Sequence, residues 1–217
     1  MLNKLELISK PSENLQFTFT FPNAIVGAKE VIKTNDLSIG YDYPLIEGIN
    51  TLILREEFCV IVGDNGIGKT TYLKTILNKI KPLMGSYKIG EGVIVSYLSQ
   101  ISDFNDNDTA YNLISNLFQD LDKKEKIKML SKLGLTYDMM IRPLNSLSGG
   151  EQTKVRIALL TKKKSNLLIL DEPTNHLDSY AKSVLKEALI KYEGTVLLVS
   201  HEKNFYKNLV NQIITFK

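Results

Sequence analysis

The sequence predicts an α/β protein, and three observations carry that expectation. An apolar run, Phe58-Cys59-Val60-Ile61-Val62, passes through a glycine-rich turn into a helix-compatible run over 71–80. A second apolar run, Leu167-Leu168-Ile169-Leu170, ends in Asp171-Glu172-Pro173. A third, over 195–199, ends in Ser200-His201. Short, fully apolar runs of this kind suit buried parallel strands. Acids at the carboxyl end of such a strand stand where ligands gather in open α/β sheets.

Composition narrows the class. A chain of 217 residues has room for one sizeable domain, or one core with a small subdomain. A net charge of +3 permits an anionic partner without arguing for one. Cys59 is the single cysteine, so no disulfide framework or cysteine metal cluster is available, and in its apolar run it reads as a small core residue. Two histidines and scattered acids do not make a zinc site. With no signal peptide and no bilayer-length apolar run, the expectation is a cytoplasmic protein without direct membrane insertion. Attachment to a membrane through a separate partner stays open.

Taken in order, residues 1–14 have no strong pattern, and 15–21 alternate Leu, Phe, Phe, Phe with period two as an edge or half-buried strand does. Core packing or a dimer contact is the reading of that stripe, with a binding surface as the alternative. Pro22 ends it, and 23–29 form a connector. Residues 31–41 and 45–53 read as two strands separated by Asp42-Tyr43-Pro44, and Arg55-Glu56-Glu57 marks a turn. After the helix over 71–80, residues 81–86 are a stop-and-turn signal, and 93–98 are a strand candidate ending at Gln100. Residues 101–107 are loop-like. Helices over 109–118 and 123–133, with Gly134 and Pro143 at the exit, form a helical insertion spanning 103–146. The charges over 120–128 are a solvated helix face. Ser148 is an N-cap with Glu151 as its capping glutamate, opening a helix over 152–160. A turn over 174–178 leads into a helix over 179–192, and 213–216 read as a terminal edge strand.

The chemistry begins at Gly63-Asp64-Asn65-Gly66-Ile67-Gly68-Lys69-Thr70, which fits G-x-x-x-x-G-K-[ST] between a strand and a helix. Backbone N–H groups must converge on phosphate oxygens, so side chains are absent where the chain meets the anion. The helix N-terminus adds a favourable partial charge. Lys69 is expected to reach the β- and γ-phosphates, and the Thr70 hydroxyl to help hold Mg²⁺. Asp171 suits the Mg²⁺ hydration shell, and Glu172 the orientation or deprotonation of an attacking water. His201 is placed to sense a γ-phosphate, with His176 in the neighbouring turn. Tyr41 and Tyr43 both stand where a ring could stack on adenine. The glycines and hydroxyl at 148–150 form a second phosphate-binding surface at a helix start, against the plainer reading of a flexible helix start.

Leu147-Ser148-Gly149-Gly150-Glu151, followed by 167–172, with the phosphate loop upstream and His201 downstream, resembles the nucleotide-binding domain of the ATP-binding cassette superfamily over about residues 31–216. That resemblance implies a P-loop NTPase fold with a mixed or parallel core sheet, an antiparallel β subdomain and a helical subdomain bearing the signature motif. It implies ATP contacts from Tyr41 (which matches better than Tyr43), Gly63, Asp64, Asn65, Gly66, Ile67, Gly68, Lys69, Thr70 and Thr71. Lys69, Gln100, Glu172 and His201 take catalytic roles, and Thr70, Gln100 and Asp171 hold Mg²⁺, partly through water. Ser148, Gly149, Gly150, Glu151 and Asp178 contact ATP held by an opposing cassette, giving a head-to-tail dimer.

A narrower resemblance lies in Asp171-Glu172-Pro173-Thr174-Asn175-His176-Leu177-Asp178, which is similar to the soluble, duplicated cassette proteins of the ABC-F family. Transporter ATPases usually lack the Asn-His pair. Val199-Ser200-His201-Glu202-Lys203-Asn204-Phe205 resembles the same family, with departures at Glu202 and Lys203 from its usual Asp-Arg. Pro82, Gly85, Gly90, Val93, Tyr97 and Gln100 match as well. Members act on the ribosome, as translation factors or as antibiotic-resistance proteins, and carry two cassettes joined by a long helical linker. This chain has one set of motifs, and 17–29 resemble the run from that linker into the second cassette. The expectation is a C-terminal half, cut from a longer protein or naturally truncated. Residues 1–30 are then a lead-in or linker remnant and 31–217 the ATP-binding domain. Its partner is a second cassette, either the missing half or another copy, with the ribosome or RNA added by the resemblance alone. Lys and Arg form no obvious RNA-contacting block. The alternatives are a transporter ATPase subunit, or a nucleotide-binding interaction fragment with little turnover.

Overall fold

The computed structural model describes residues 20–25, 27–99, 104–105, 107–132 and 134–217. Gln100 and nearly all of the strand expected over 15–21 lie outside the described residues. In chain order the strands are β1 (Glu30–Gly40), β2 (Pro44–Ile49), β3 (Leu52–Leu54), β4 (Phe58–Val62), β5 (Met84–Ile89), β6 (Val95–Leu98), β7 (Leu167–Asp171), β8 (Thr195–Val199) and β9 (Gln212–Thr215). The helices are α1 (Lys69–Ile76), α2 (Ala110–Leu117), α3 (Lys123–Lys132), α4 (Tyr137–Ile141), α5 (Gly149–Leu160), α6 (Ser179–Ile190) and α7 (Lys203–Tyr206).

Five strands form a parallel sheet in the order β6-β7-β8-β4-β9. Its inner strands are apolar throughout because both faces are covered. Phe58, Val60, Leu168, Leu170, Val196 and Leu198 face a cluster built with α5, α6 and α7. Their neighbours Cys59, Ile61, Leu167, Ile169, Leu197 and Val199 face the opposite way, onto α1 and the antiparallel strands. β9 pairs with β4 alone and alternates accordingly, Ile214 inward and Ile213 exposed.

β1 is the spine of the antiparallel sheet, with β2 and β3 on successive stretches of one edge and β5 on the other. The single strand expected over 45–53 is broken at Asn50-Thr51. There side chains replace ladder bonds: Asp36 N–H donates to Asn50 Oδ1 at 2.9 Å, and Thr51 N–H donates to Thr34 Oγ1 at 2.8 Å. The stop-and-turn expected over 81–86 is in part the start of β5. Gly85 has φ 74° and lies so close to the Asp36 carbonyl that no side chain fits, so a turn-forming residue serves as a bulge in a paired strand. α1 opens at Lys69 rather than Thr71, which puts Lys69 and Thr70 in its first turn. The single-turn helices α4 and α7 carry too little periodicity to be read from sequence.

A third apolar cluster joins α2, α3, α4 and α5 through Ile114, Leu130, Met140 and Val155, among others. Ahead of β1, Phe21 is buried edge-on against Tyr192, ring centroids 6.1 Å apart. The Asn166 amide donates to the carbonyls of Ile25 and Gly92 at 2.9 Å each, tying the approach segment to the base of β7. No helix among the described residues is long and apolar enough to cross a membrane.

Candidate functional site

The phosphate loop leaves β4 at the carboxyl end of the sheet and turns into α1. Gly66 (φ 82°) and Gly68 (φ 117°) hold backbone conformations that side chains resist. Gly68 is the N-cap of α1 and supplies no capping side chain, and no acid stands in the first turn. The first N–H groups of the helix are thus left to an external anion. Lys69 is buried, and its ammonium donates to the Gly63 and Asp64 carbonyls, 2.8 Å to each.

β7 delivers Asp171 to the same place. The Thr70 hydroxyl donates to Asp171 Oδ2 at 2.8 Å, across 101 residues of sequence. Asp171 is 1% exposed, and among the described residues its buried Oδ1 makes no direct hydrogen bond as close as the one from Thr70 to Oδ2. Burial pushes this carboxyl above the usual range, while the Thr70 hydroxyl, Lys69, Lys74 and the Tyr97 hydroxyl pull it down. A hydroxyl oxygen beside a buried carboxylate is the donor chemistry a hard cation takes, so these residues fit Mg²⁺.

Glu172 turns the chain sharply at φ 49°, its N–H bonded to the Val199 carbonyl of β8. Its side chain is 8% exposed, and Oε1 lies 3.1 Å from His201 Nε2. Burial raises its pKa foremost, and Asp171 adds to the rise, whereas His201 and Lys69 oppose it. A carboxylate held above its ordinary value beside a phosphate loop is suited to take a proton. Asn65, Gly66, Gly68, Lys69, Thr70, Thr71, Asp171, Glu172 and His201 line one cleft of about 500 Å³, together with Asn175 and Val199. Asn175 is a lining residue for which sequence reading assigned no contact. Its signal was the polar turn directly after two acids.

The other expected residues stand elsewhere. Tyr41 and Tyr43 are 59% and 69% exposed in the turn between β1 and β2, and neither lines the cleft. Leu45 and Ile46, just beyond them, pack at Gly68, so this hairpin borders the loop. Gly63 and Asp64 hold Lys69 through their carbonyls, and Ile67 packs on the core. Ser148 caps α5 reciprocally: its hydroxyl accepts from Glu151 N–H at 3.3 Å, and Glu151 Oε2 accepts from Ser148 N–H at 2.9 Å. Gly149 and Gly150 rest against His176. Asp178 caps α6, accepting from Ala181 N–H at 2.7 Å, and that bond above all holds its carboxyl below the ordinary range. None of Ser148, Gly149, Gly150, Glu151 and Asp178 lines the cleft.

A family profile described as ABC transporter matches residues 46–175. The uncharacterized ABC transporter ATP-binding protein YfmM of Bacillus subtilis is 40% identical over 211 residues, which are 97% of this chain and 41% of that protein. ABC transporter F family member 2 of Arabidopsis thaliana is 36% identical over 217 residues, 98% of this chain and 32% of that protein. The chain thus spans less than half the length of these relatives. Among solved structures, the dimeric post-hydrolysis state of the ATP-binding cassette MJ0796 bound to ADP and Pi superimposes with a TM-score of 0.70 at 23% identity, covering 86% of this chain and 94% of that one.

Proposed function

The chain belongs to the ABC transporter family as an ABC ATPase domain, and from that premise we propose that it binds Mg-ATP and hydrolyses it to ADP and phosphate at a composite, head-to-tail interface with a second cassette. The observation that carries this reading is the single cleft holding Lys69, Thr70, Asp171, Glu172 and His201, while the capped start of α5 stays outside it. The phosphate loop and Lys69 bind and orient the triphosphate, with Tyr41 at the adenine end. Thr70 and Asp171 would hold Mg²⁺, which would supply charge neutralisation to the bound triphosphate. Glu172 orients a water and takes its proton, and His201 fixes the Glu172 carboxylate. Gln100 would join Thr70 and Asp171 as a Mg²⁺ ligand and take part in catalysis, as the family resemblance implies. Ser148, Gly149, Gly150, Glu151 and Asp178 serve the nucleotide of the opposing cassette. Catalysis in such a site is positioning and electrostatic stabilisation.

The biological setting we propose is the cytoplasm, with the chain acting as the C-terminal cassette of a ribosome-associated ABC-F protein. Support comes from the run over 171–178 and from relatives that include an F family member. The test is a dilution series of the purified protein with Mg-ATP, with and without EDTA. The expected rate per molecule falls on dilution and vanishes with chelation. A rate independent of protein concentration overturns the composite site. Co-sedimentation of Glu172→Gln with ribosomes in Mg-ATP tests the setting. Failure to pellet with them removes the ribosomal reading and leaves the transporter subunit or the interaction fragment.

A further inference from the structure

The turn that follows the catalytic strand has a second contact surface. Within residues 172–176 two non-glycine residues, Glu172 and His176, have left-handed backbones, φ 49° and 65°. Such conformations persist where surrounding packing enforces them, and they concentrate where geometry serves function. Here the enforcing partners are identifiable. Leu177 is buried in the core on one side of the turn, and Asp178 caps α6 immediately after it. On the other side lies the first turn of α5. A methyl group on Gly150 would stand 2.5 Å from the His176 carbonyl oxygen, closer than any Cβ is found. One on Gly149 would stand 3.1 Å from the imidazole carbons Cγ and Cδ2. Neither glycine has a positive φ, so close approach to His176, not backbone freedom, excludes side chains there. Lys154 of α5 reaches Asp178 Oδ2 at 3.4 Å and ties the same two elements a turn further on.

We propose that His176 is a positioning residue: through its left-handed backbone and its ring it seats the start of α5, and so sets how Ser148 and Gly149 are presented to the nucleotide of the opposing cassette. This rests on the composite-site reading above. One turn then carries Glu172, which works on the chain's own nucleotide, and the seat for the surface that works on the other. His176 touches no nucleotide in this scheme. Its effect is delivered through the α5 N-terminus, in the cassette that lends its signature motif rather than in the cassette whose loop holds the ATP.

Mixing two disabled copies of this chain separates those roles. One copy carries Glu172→Gln and lends only an intact α5 start. The other carries Ser148→Arg and lends only an intact phosphate loop and Glu172. Each alone is inactive, and the mixture restores one complete site. Adding His176→Ala to the signature lender is expected to lower the kcat of the mixture about tenfold with KM for ATP little changed, since small misplacements of remote groups have effects of that order or larger. Adding it to the loop lender is expected to alter the rate less than about twofold, and activity there also shows that the variant folds. His176→Asn, whose side chain tolerates a left-handed backbone, is expected to restore most of the loss in the signature lender. Equal loss in both positions, loss confined to the loop lender, or no loss in either overturns the proposal. A mixture with native His176 that stays inactive overturns a composite site formed between two copies of this chain, and the role of His176 in it.

Discussion

Two helix starts in this molecule carry glycines for opposite reasons. Before α1 the glycines at 66 and 68 supply left-handed backbone, and the helix is left uncapped by any side chain. At α5 the glycines at 149 and 150 have ordinary helical backbone and are small because His176 lies against them, while Ser148 and Glu151 close a reciprocal capping box. The first start is unfinished without an anion. The second meets one of its first N–H groups with its own side-chain cap and rests its glycines on a neighbouring turn. A glycine-rich helix start is therefore not one kind of evidence: glycine supplies left-handed backbone at the first and close packing at the second, and only the second has a side-chain cap.

The largest expected effect comes from disabling the chemistry that the first start serves. Glu172→Gln is expected to lower turnover by about 10²–10⁴-fold, the usual contribution of a general base, while Mg-ATP binding, read by equilibrium dialysis, survives. Equal turnover by both proteins would remove Glu172 from the mechanism. The pH profile follows from the same carboxyl. Burial raises its pKa, and only the ionised form accepts a proton, so activity should fall toward acid with a limb lying above the ordinary glutamate range. Stability runs the other way: the contribution of a raised carboxyl is fully present below its unfolded pKa and is lost as pH rises through the folded value.

An intermediate effect separates the two starts directly. Gly68→Ala places a side chain at φ 117° and 3.3 Å from Ile46, so nucleotide affinity is expected to fall roughly tenfold, the equivalent of about 1–2 kcal/mol of backbone strain. Gly150→Ala, which drives a methyl toward the His176 carbonyl, is expected to lower turnover and leave affinity for ATP nearly unchanged. Titration of a fluorescent ATP analogue beside steady-state rates reads both. The same defect in both variants would erase the distinction. The smallest effect is one on stability: Ser148→Ala removes one side of a reciprocal cap worth about 1 kcal/mol. Thermal unfolding should shift down by about 2–4 °C for a chain of this size. No shift would mean that the cap contributes no measurable stability to α5.

Much of the cleft was legible because its parts are local. β4, the loop and α1 are contiguous, and the acids directly follow an apolar run that both faces of the sheet bury. The Ser148–Glu151 cap was legible for the same reason, since a capping box closes over three residues. β5 was not, because Gly85 signals a turn in sequence and becomes a bulge only when β1 lies beside it. The break between β2 and β3 likewise depends on Asp36 and Thr34, more than a dozen residues away.

By itself the sequence determined which segments are apolar strands, which turn demands glycine, and which residues have the chemistry for phosphate, cation and proton. Those properties reside in short windows, where side-chain polarity and backbone preference act directly. Tertiary structure alone decided the order β6-β7-β8-β4-β9, the meeting of Thr70 with Asp171, and the seat of Gly149 and Gly150 on His176. Each is a contact between segments with no local signal for one another, selected when two faces of one sheet were buried together.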